Sequence, residues 1–143
     1  MRALLLLAGF LTVADEPTPS AFVGYWYGEN YQPTFHEYFQ ELDVHRADGT
    51  FEVEFRKYTK CKLVFDQHEA GTWSMANGVV HMLTLSINAQ PARPTTNPLF
   101  TDDYQLIVLD EHNYEERQIG TGATFKLWRV TEKFKFPDCT FTS

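Results

Sequence analysis

The sequence predicts an all-β domain, an eight-stranded antiparallel up-and-down barrel, on three observations. Apolar and polar residues alternate with period 2 after residue 20, and no stretch of helical length there keeps an i, i+3, i+4 apolar stripe. Tight-turn signals separate the alternating segments at Ala47-Asp48-Gly49, Asn77-Gly78 and Asp110-Glu111-His112-Asn113. Short and long connections take turns along the chain, which in a meander puts all the short ones at one end of the sheet and the long ones at the other.

The N-terminus comes first. Met1 and Arg2 form a minimal positive end, and Ala3 to Val13 is an apolar run too short to span a bilayer as a stable helix. This is the pattern of a signal peptide over residues 1–14, cleaved after Ala14, with an uncleaved anchor as the alternative. A polar, Pro-broken lead-in, residues 15–21, follows and is expected to be flexible. The expected localisation is periplasmic or secreted, with no membrane insertion after cleavage.

The barrel is expected over residues 22–130. Its strands begin with Phe22–Tyr27 and Tyr38–Val44, where Tyr38, Leu42 and Val44 alternate with Glu41 and Asp43. Thr50–Tyr58 sets Phe51, Val53 and Phe55 against Glu52, Glu54 and Arg56, so one face is buried and the other wet. Gly49 supplies the positive φ of the turn between them. Thr72–Met75 and Val79–Ile87 flank Asn77-Gly78, two residues that tolerate a type I′ turn. Tyr104–Leu109, Tyr114–Ile119 and Ala123–Val130 complete the eight, and residues 131–143 form a C-terminal tail.

Three long segments, Gly28–His36, Thr59–Glu69 and Asn88–Asp102 with Pro91, Pro94 and Pro98, share one end. The outcome is a cup with a closed floor and a loop-rimmed mouth, and closure removes the edges of an open sheet.

Composition narrows the partners. There are 12 basic and 19 acidic residues, a net charge of −7, and no basic cluster longer than Arg56-Lys57, so nucleic acid is not an expected partner. The two cysteines, Cys61 and Cys139, meet an oxidising compartment if the chain is exported and can pair there; separately used thiols are the alternative.

Gly24-Tyr25-Trp26 in the first strand, Phe125-Lys126-Leu127-Trp128-Arg129 in the last, Gly71-Thr72-Trp73 and Asp48-Gly49-Thr50-Phe51 together resemble the lipocalin-like (calycin) barrels, the last motif especially those of exported bacterial proteins. The resemblance spans nearly the whole chain after the signal segment. It implies a cation–π cap in which Arg129 lies over Trp26 at the closed end, worth about 0.5–2 kcal/mol. It also implies a tail cysteine bonded back to the barrel, Cys139 to Cys61. The helix that lipocalins pack outside the barrel after the last strand has no counterpart in Phe134–Ser143, which contains Pro137, so the likeness is to the looser lipocalin-like group.

Chemistry-bearing motifs are few. No two of His36, His45, His68, His81 and His112 stand at i, i+2 or i, i+4, so no metal site is encoded locally. There is no Gly-x-Ser-x-Gly elbow and no phosphate-binding glycine loop, so no catalytic residues are assigned and no cofactor is expected. The carboxylates Glu52, Glu54, Glu115 and Glu116 read as the wet side of strands.

Alternation puts His81 with Val79, Leu83, Leu85 and Ile87, taken as the inward face, where Gln40 could partner it; His81 is then either a polar anchor for a ligand or a satisfied core histidine. Tyr31, Phe35, Phe65, Leu99 and Phe100 fall in the mouth segments, as a plug or as a lid and contact surface.

The expected function is an exported barrel that binds a small apolar ligand through Tyr38, Gln40, Phe55, His81, Leu83, Tyr104 and Phe125. The alternative is a protein-interaction barrel of the protease-inhibitor kind, with a filled interior and a protein partner at the mouth.

Overall fold

A computed structural model describes residues 17–92 and 100–140. The expected signal peptide, residues 1–14, lies outside them, as do Pro94, Pro98 and Leu99 of the mouth. Strands run as β1 Gly24–Gln32, β2 Glu37–His45, β3 Thr50–Thr59, β4 Lys62–Ala76, β5 Val79–Ile87, β6 Gln90–Pro91, β7 Thr101–Leu109, β8 Asn113–Gln118 and β9 Thr124–Val130.

Each long strand pairs antiparallel with the next, and β1 pairs with β9 in the register Tyr25↔Val130, Trp26↔Arg129, Tyr27↔Trp128. The sheet thereby closes as the expected eight-stranded barrel, with β6 a two-residue addition to β5. No helix among the described residues is long and apolar enough to cross a membrane.

The hairpin signals work as their chemistry requires. Gly49 sits at φ 82°, and Asn77 and Gly78 at 53° and 71°. Asp48 Oδ1 accepts from both the backbone N–H and the hydroxyl of Thr50, which pins the first of these turns.

At the mouth the strands are longer than expected. The Thr59–Glu69 segment is not a loop, because Lys60 and Cys61 both take left-handed φ values, 51° and 56°, and turn the chain in two residues. Neither is a glycine or asparagine, so the turn carried no signal in composition. β1 likewise runs to Gln32, followed by one 3-10 turn, Pro33–Phe35, and His36 at φ 50°.

The floor is aromatic. The lead-in ends in one helical turn, α1 Pro19–Phe22, which drops Phe22 into the barrel with no exposed surface. Its ring stacks on His45 at 3.9 Å and meets Trp73 and Tyr114 at 5.2 and 5.3 Å. Burying an aromatic of this size stabilises by roughly 1.5–3 kcal/mol. Trp26 seals the same layer, its indole N–H donating to the Phe22 carbonyl at 2.9 Å.

Outside, residues from Thr131 onward lie across β1–β3. Tyr27 meets the rings of Trp128, Phe134 and Phe136, Gln40 donates to the Pro137 carbonyl at 2.8 Å, and Arg56 stands 4.2 Å over Phe136. Cys139 bonds to Cys61 and pins the tail in place. The expected pairing of the two cysteines is therefore present.

Candidate functional site

Strand register decides which side chains enter the cup. Trp26, Asp43, Val53 and Glu69 stand opposite one another in one transverse row, and Gly28, Glu41, Phe55 and Gln67 in the row nearer the mouth. From the other side of the barrel, Tyr114 and Leu127 form one row and Glu116 and Phe125 the next. The interior is thus layered: aromatic floor, acidic middle, and an upper level of phenylalanines.

A pocket of about 580 Å³ opens at the upper level, with Phe39, Phe55, Phe65 and Phe125 among its lining and Glu41 on its wall. Beneath Phe125, Tyr104 packs edge-on with ring centroids 6.2 Å apart. A cavity of this size falls in the range of small-molecule sites.

The acidic middle layer was not foreseen. Glu41, Asp43 and Glu116, expected on wet faces, point inward, and Asp43 and Glu116 are 3% and 4% exposed. Tyr114 donates to Asp43 Oδ2 at 2.8 Å, Gln67 and Thr84 donate to the two oxygens of Glu69 at 2.6 and 3.2 Å, and Gln118 donates to Asp102 at 2.6 Å.

Burial pushes the Asp43 carboxyl up to about 7, with the nearby Glu69 charge adding to the shift and the Tyr114 hydroxyl opposing it. Burial also raises Glu41 well above the carboxylate range, helped by the charges of Asp43 and Glu116, and raises Glu116 in the same way beside Asp43 and Asp102. The interaction of Glu41 with Asp43 raises the first carboxyl and lowers the second, which favours the proton on Glu41. Tyr104 and Tyr114 are held as neutral phenols, first by burial and then by the same carboxylates.

Of the residues expected to line the interior, Gln40, Phe55 and Phe125 border the pocket and Tyr104 packs edge-on against Phe125. Three others require correction. Tyr38 is 4% exposed and buried on the outer face, under the tail, where it bonds to Tyr27 and Glu29; the Gln40 side chain, 1% exposed, turns to the same face and donates to the Pro137 carbonyl. Their strand carried an apolar outer set because the tail covers it.

His81 and Leu83 also face outward. Val80, Met82 and Thr84 hold the inner face of β5, and His81 Nδ1 lies 2.6 Å from Asp103 Oδ1 on the exposed side. The outward set, with Leu83 and Leu85, is the more apolar of the two, since the inward Val80 and Met82 are followed by Thr84 and Ser86, so alternation alone points the wrong way here. A bulge at Leu85 then shifts the phase, which places Ile87 opposite Glu69.

The floor cap is present as the motif implied. The Arg129 guanidinium carbon lies 4.0 Å over the Trp26 ring. Phe35 at the mouth is 65% exposed, and Phe65 belongs to β4 rather than to a loop.

No protein-family model matches the chain, and no curated protein matches it in sequence. The class that fold and site define is a closed β-barrel with a mouth-facing pocket and an acidic interior.

Proposed function

We propose that the chain is an exported lipocalin-like barrel that binds a small molecule with an apolar body. The observation that carries this reading is the phenylalanine-walled pocket of about 580 Å³ above a sealed aromatic floor. An interior meant only to be filled would bury those rings against one another, and Phe65 is instead 45% exposed. The Gly24-x-Trp26 and Arg129 motifs support the lipocalin-like assignment, and the Met1–Ala14 segment together with the disulfide supports export. Phe55 and Phe125 remain as wall contacts, Tyr104 as support beneath them.

Native mass spectrometry of protein recovered from the exporting compartment, alongside titration with the neutral fluorophore N-phenylnaphthylamine, tests this. One molecule bound per chain, with affinity lowered about tenfold by Phe125→Ala, is expected. No co-purifying molecule and no fluorophore binding would reject it.

A protein-interaction barrel is the second reading. Phe35, Leu63, Val64 and Phe65 favour it, since all four are at least 45% exposed at the mouth.

A further inference from the structure

The binding reading leaves the acidic layer unexplained. Five carboxyl groups, Glu41, Asp43, Glu69, Asp102 and Glu116, come from four strands to the middle of the barrel. Among the described residues no lysine or arginine pairs with any of them.

The rim cations are engaged elsewhere: Lys57 with Glu37 at 2.7 Å, Arg56 with Glu54 at 2.6 Å and Lys126 with Glu115 at 3.3 Å. Arg129 is held on the floor. His45 Nε2 is 4.0 Å from Asp43 Oδ2, but burial pushes the imidazole down to about 3, so it is neutral at physiological pH. The donors that do reach the layer, from Tyr114, Gln67, Thr84 and Gln118, are all neutral.

Two acceptors are left over. Asp43 Oδ1 and Glu116 Oε2 are buried and have no hydrogen-bond partner. A buried carboxyl oxygen without a partner is costly and persists where something else supplies the partner. Both residues face the carboxylate layer directly below the pocket, and Glu41 belongs to both layer and pocket wall.

We infer that the pocket takes a small organic cation, with an ammonium or guanidinium head that enters past the phenylalanines to Glu41 on the pocket wall and is attracted there by the buried Asp43 and Glu116 carboxyls. This identifies the ligand class for the binding site proposed above and rests on that reading. The phenylalanine walls suit an organic ligand twice over, by burying its apolar body and by offering ring faces to its charge. A bare metal ion fits worse, because among the described residues no three acidic, histidine or cysteine groups converge as a metal site.

Entry of a cation reverses the local electrostatics. Without it, burial and mutual repulsion favour the protonated forms of Glu41, Asp43 and Glu116; with it, the ionised forms become favourable and protons leave as the ligand binds. Affinity for a cation therefore rises with pH across the range in which the layer titrates. The titratable groups facing the head are Glu41, Asp43 and His45 on β2, Glu69 on β4, Asp102 and Tyr104 on β7, and Tyr114 and Glu116 on β8. Glu29 on β1, Arg56 and Lys57 on β3 and Lys126 on β9 also line the pocket, the three cations held in their ion pairs with Glu54, Glu37 and Glu115.

Three isosteric probes separate the possibilities: naphthylethylamine, naphthylethanol and naphthylacetate, titrated by calorimetry at neutral pH. The amine is expected to bind at least about tenfold tighter than the alcohol, and the acetate weakest. Repeating the amine titration in two buffers of different ionisation enthalpy should show protons released. In Glu41→Gln and in Glu116→Gln, each checked for folding by near-ultraviolet circular dichroism, the amine-to-alcohol affinity ratio should fall to about twofold or less.

Equal affinity for amine and alcohol in the unaltered protein, or a ratio that survives both substitutions, overturns the cationic head and leaves the binding reading standing. No binding by any of the three overturns both.

Discussion

Arg129 stands over Trp26, its guanidinium carbon 4.0 Å from the ring centroid, and the glycine at residue 24 makes room for it. Gly24 sits at φ 139°, and a β-carbon there would stand 2.3 Å from Arg129 Nη1. Through that gap the guanidinium reaches the Val23 and Ala21 carbonyls at 2.8 and 2.9 Å, while Nε donates to the Glu111 carbonyl at 2.7 Å. The glycine, the tryptophan and the arginine are thus one device: a close approach, a platform and a staple joining the first strand, the last strand and the turn before β8.

Arg129→Ala removes the cation–π contact and three charge-assisted hydrogen bonds, so a loss of about 2–4 kcal/mol in urea unfolding is expected, with fluorophore binding at the mouth unchanged. Gly24→Ala should cost a similar amount alone and much less in the Arg129→Ala background, since the clash is with the guanidinium and only the backbone strain then remains. Additive costs would show that the two residues act independently.

Gly71→Ala is expected to be more severe. A β-carbon at residue 71 would sit 1.9 Å from the Leu83 carbonyl oxygen, and backbone of a paired strand cannot swing aside as a side chain does. A loss exceeding about 2 kcal/mol, or a protein recovered only in inclusion bodies, is the anticipated result; a thermal midpoint within a degree or two of the parent would contradict the close packing of β4 on β5 at the bulge.

Acidification should stabilise the protein between roughly pH 8 and 5. Asp43 titrates near 7 in the fold against an ordinary value of 3.8, and Glu41 and Glu116 are raised too, so across this window the folded state holds protons that the unfolded chain has released. Unfolding free energy then falls as pH rises. His45 works the other way: it stays neutral in the fold and takes up a proton on unfolding below 6.5. Three carboxyls outweigh one imidazole, each surplus proton contributing about 1.4 kcal/mol per pH unit. Calorimetric melting points across this range should climb toward acid, and Glu116→Gln should flatten the climb while raising stability at pH about 8 by roughly 1–3 kcal/mol.

Cys139→Ser should release the tail. The bond spans 78 residues of sequence, for which chain entropy assigns about 4.5 kcal/mol. Losing it also loosens Phe134, Phe136 and Pro137 from the face they cover. Hydrogen exchange would then report faster exchange at Tyr27 and Gln40 on the outer side of β1 and β2, and unaltered exchange at Phe22 and Trp26 on the floor.

The strands, the hairpins and the floor cap were legible because each has a local signature: alternation along Thr50–Tyr58, Asn77-Gly78 at positive φ, and motif residues brought together by barrel closure. The candidate site was legible only where one of the two faces of a strand is plainly polar. Phe55, which lines the pocket, alternates with the plainly polar Glu54 and Arg56, whereas on β5 the more apolar set faces outward and carries His81 and Leu83 with it. On β2 the polarity rule itself inverts: the tail turns the outside into an apolar interface for Tyr38, while the interior holds Glu41 and Asp43. A contact made by a segment about a hundred residues away leaves no trace in local patterning, and a buried acidic layer reads from sequence as solvent-facing charge.

The pairing of β1 with β9 sets the order in which the molecule can be made. Every other strand meets a partner that is close in sequence, but the seam needs residues 25–27 and 128–130 at once, so no closed barrel exists until residue 130 is available. Until then β1 and β9 are bare edges, and the carboxyl layer is open to water. Closure is therefore a late, high-contact-order step on the scale of milliseconds to seconds, and the emerging chain must be kept from edge-to-edge aggregation until its own last strand arrives to shut the wall.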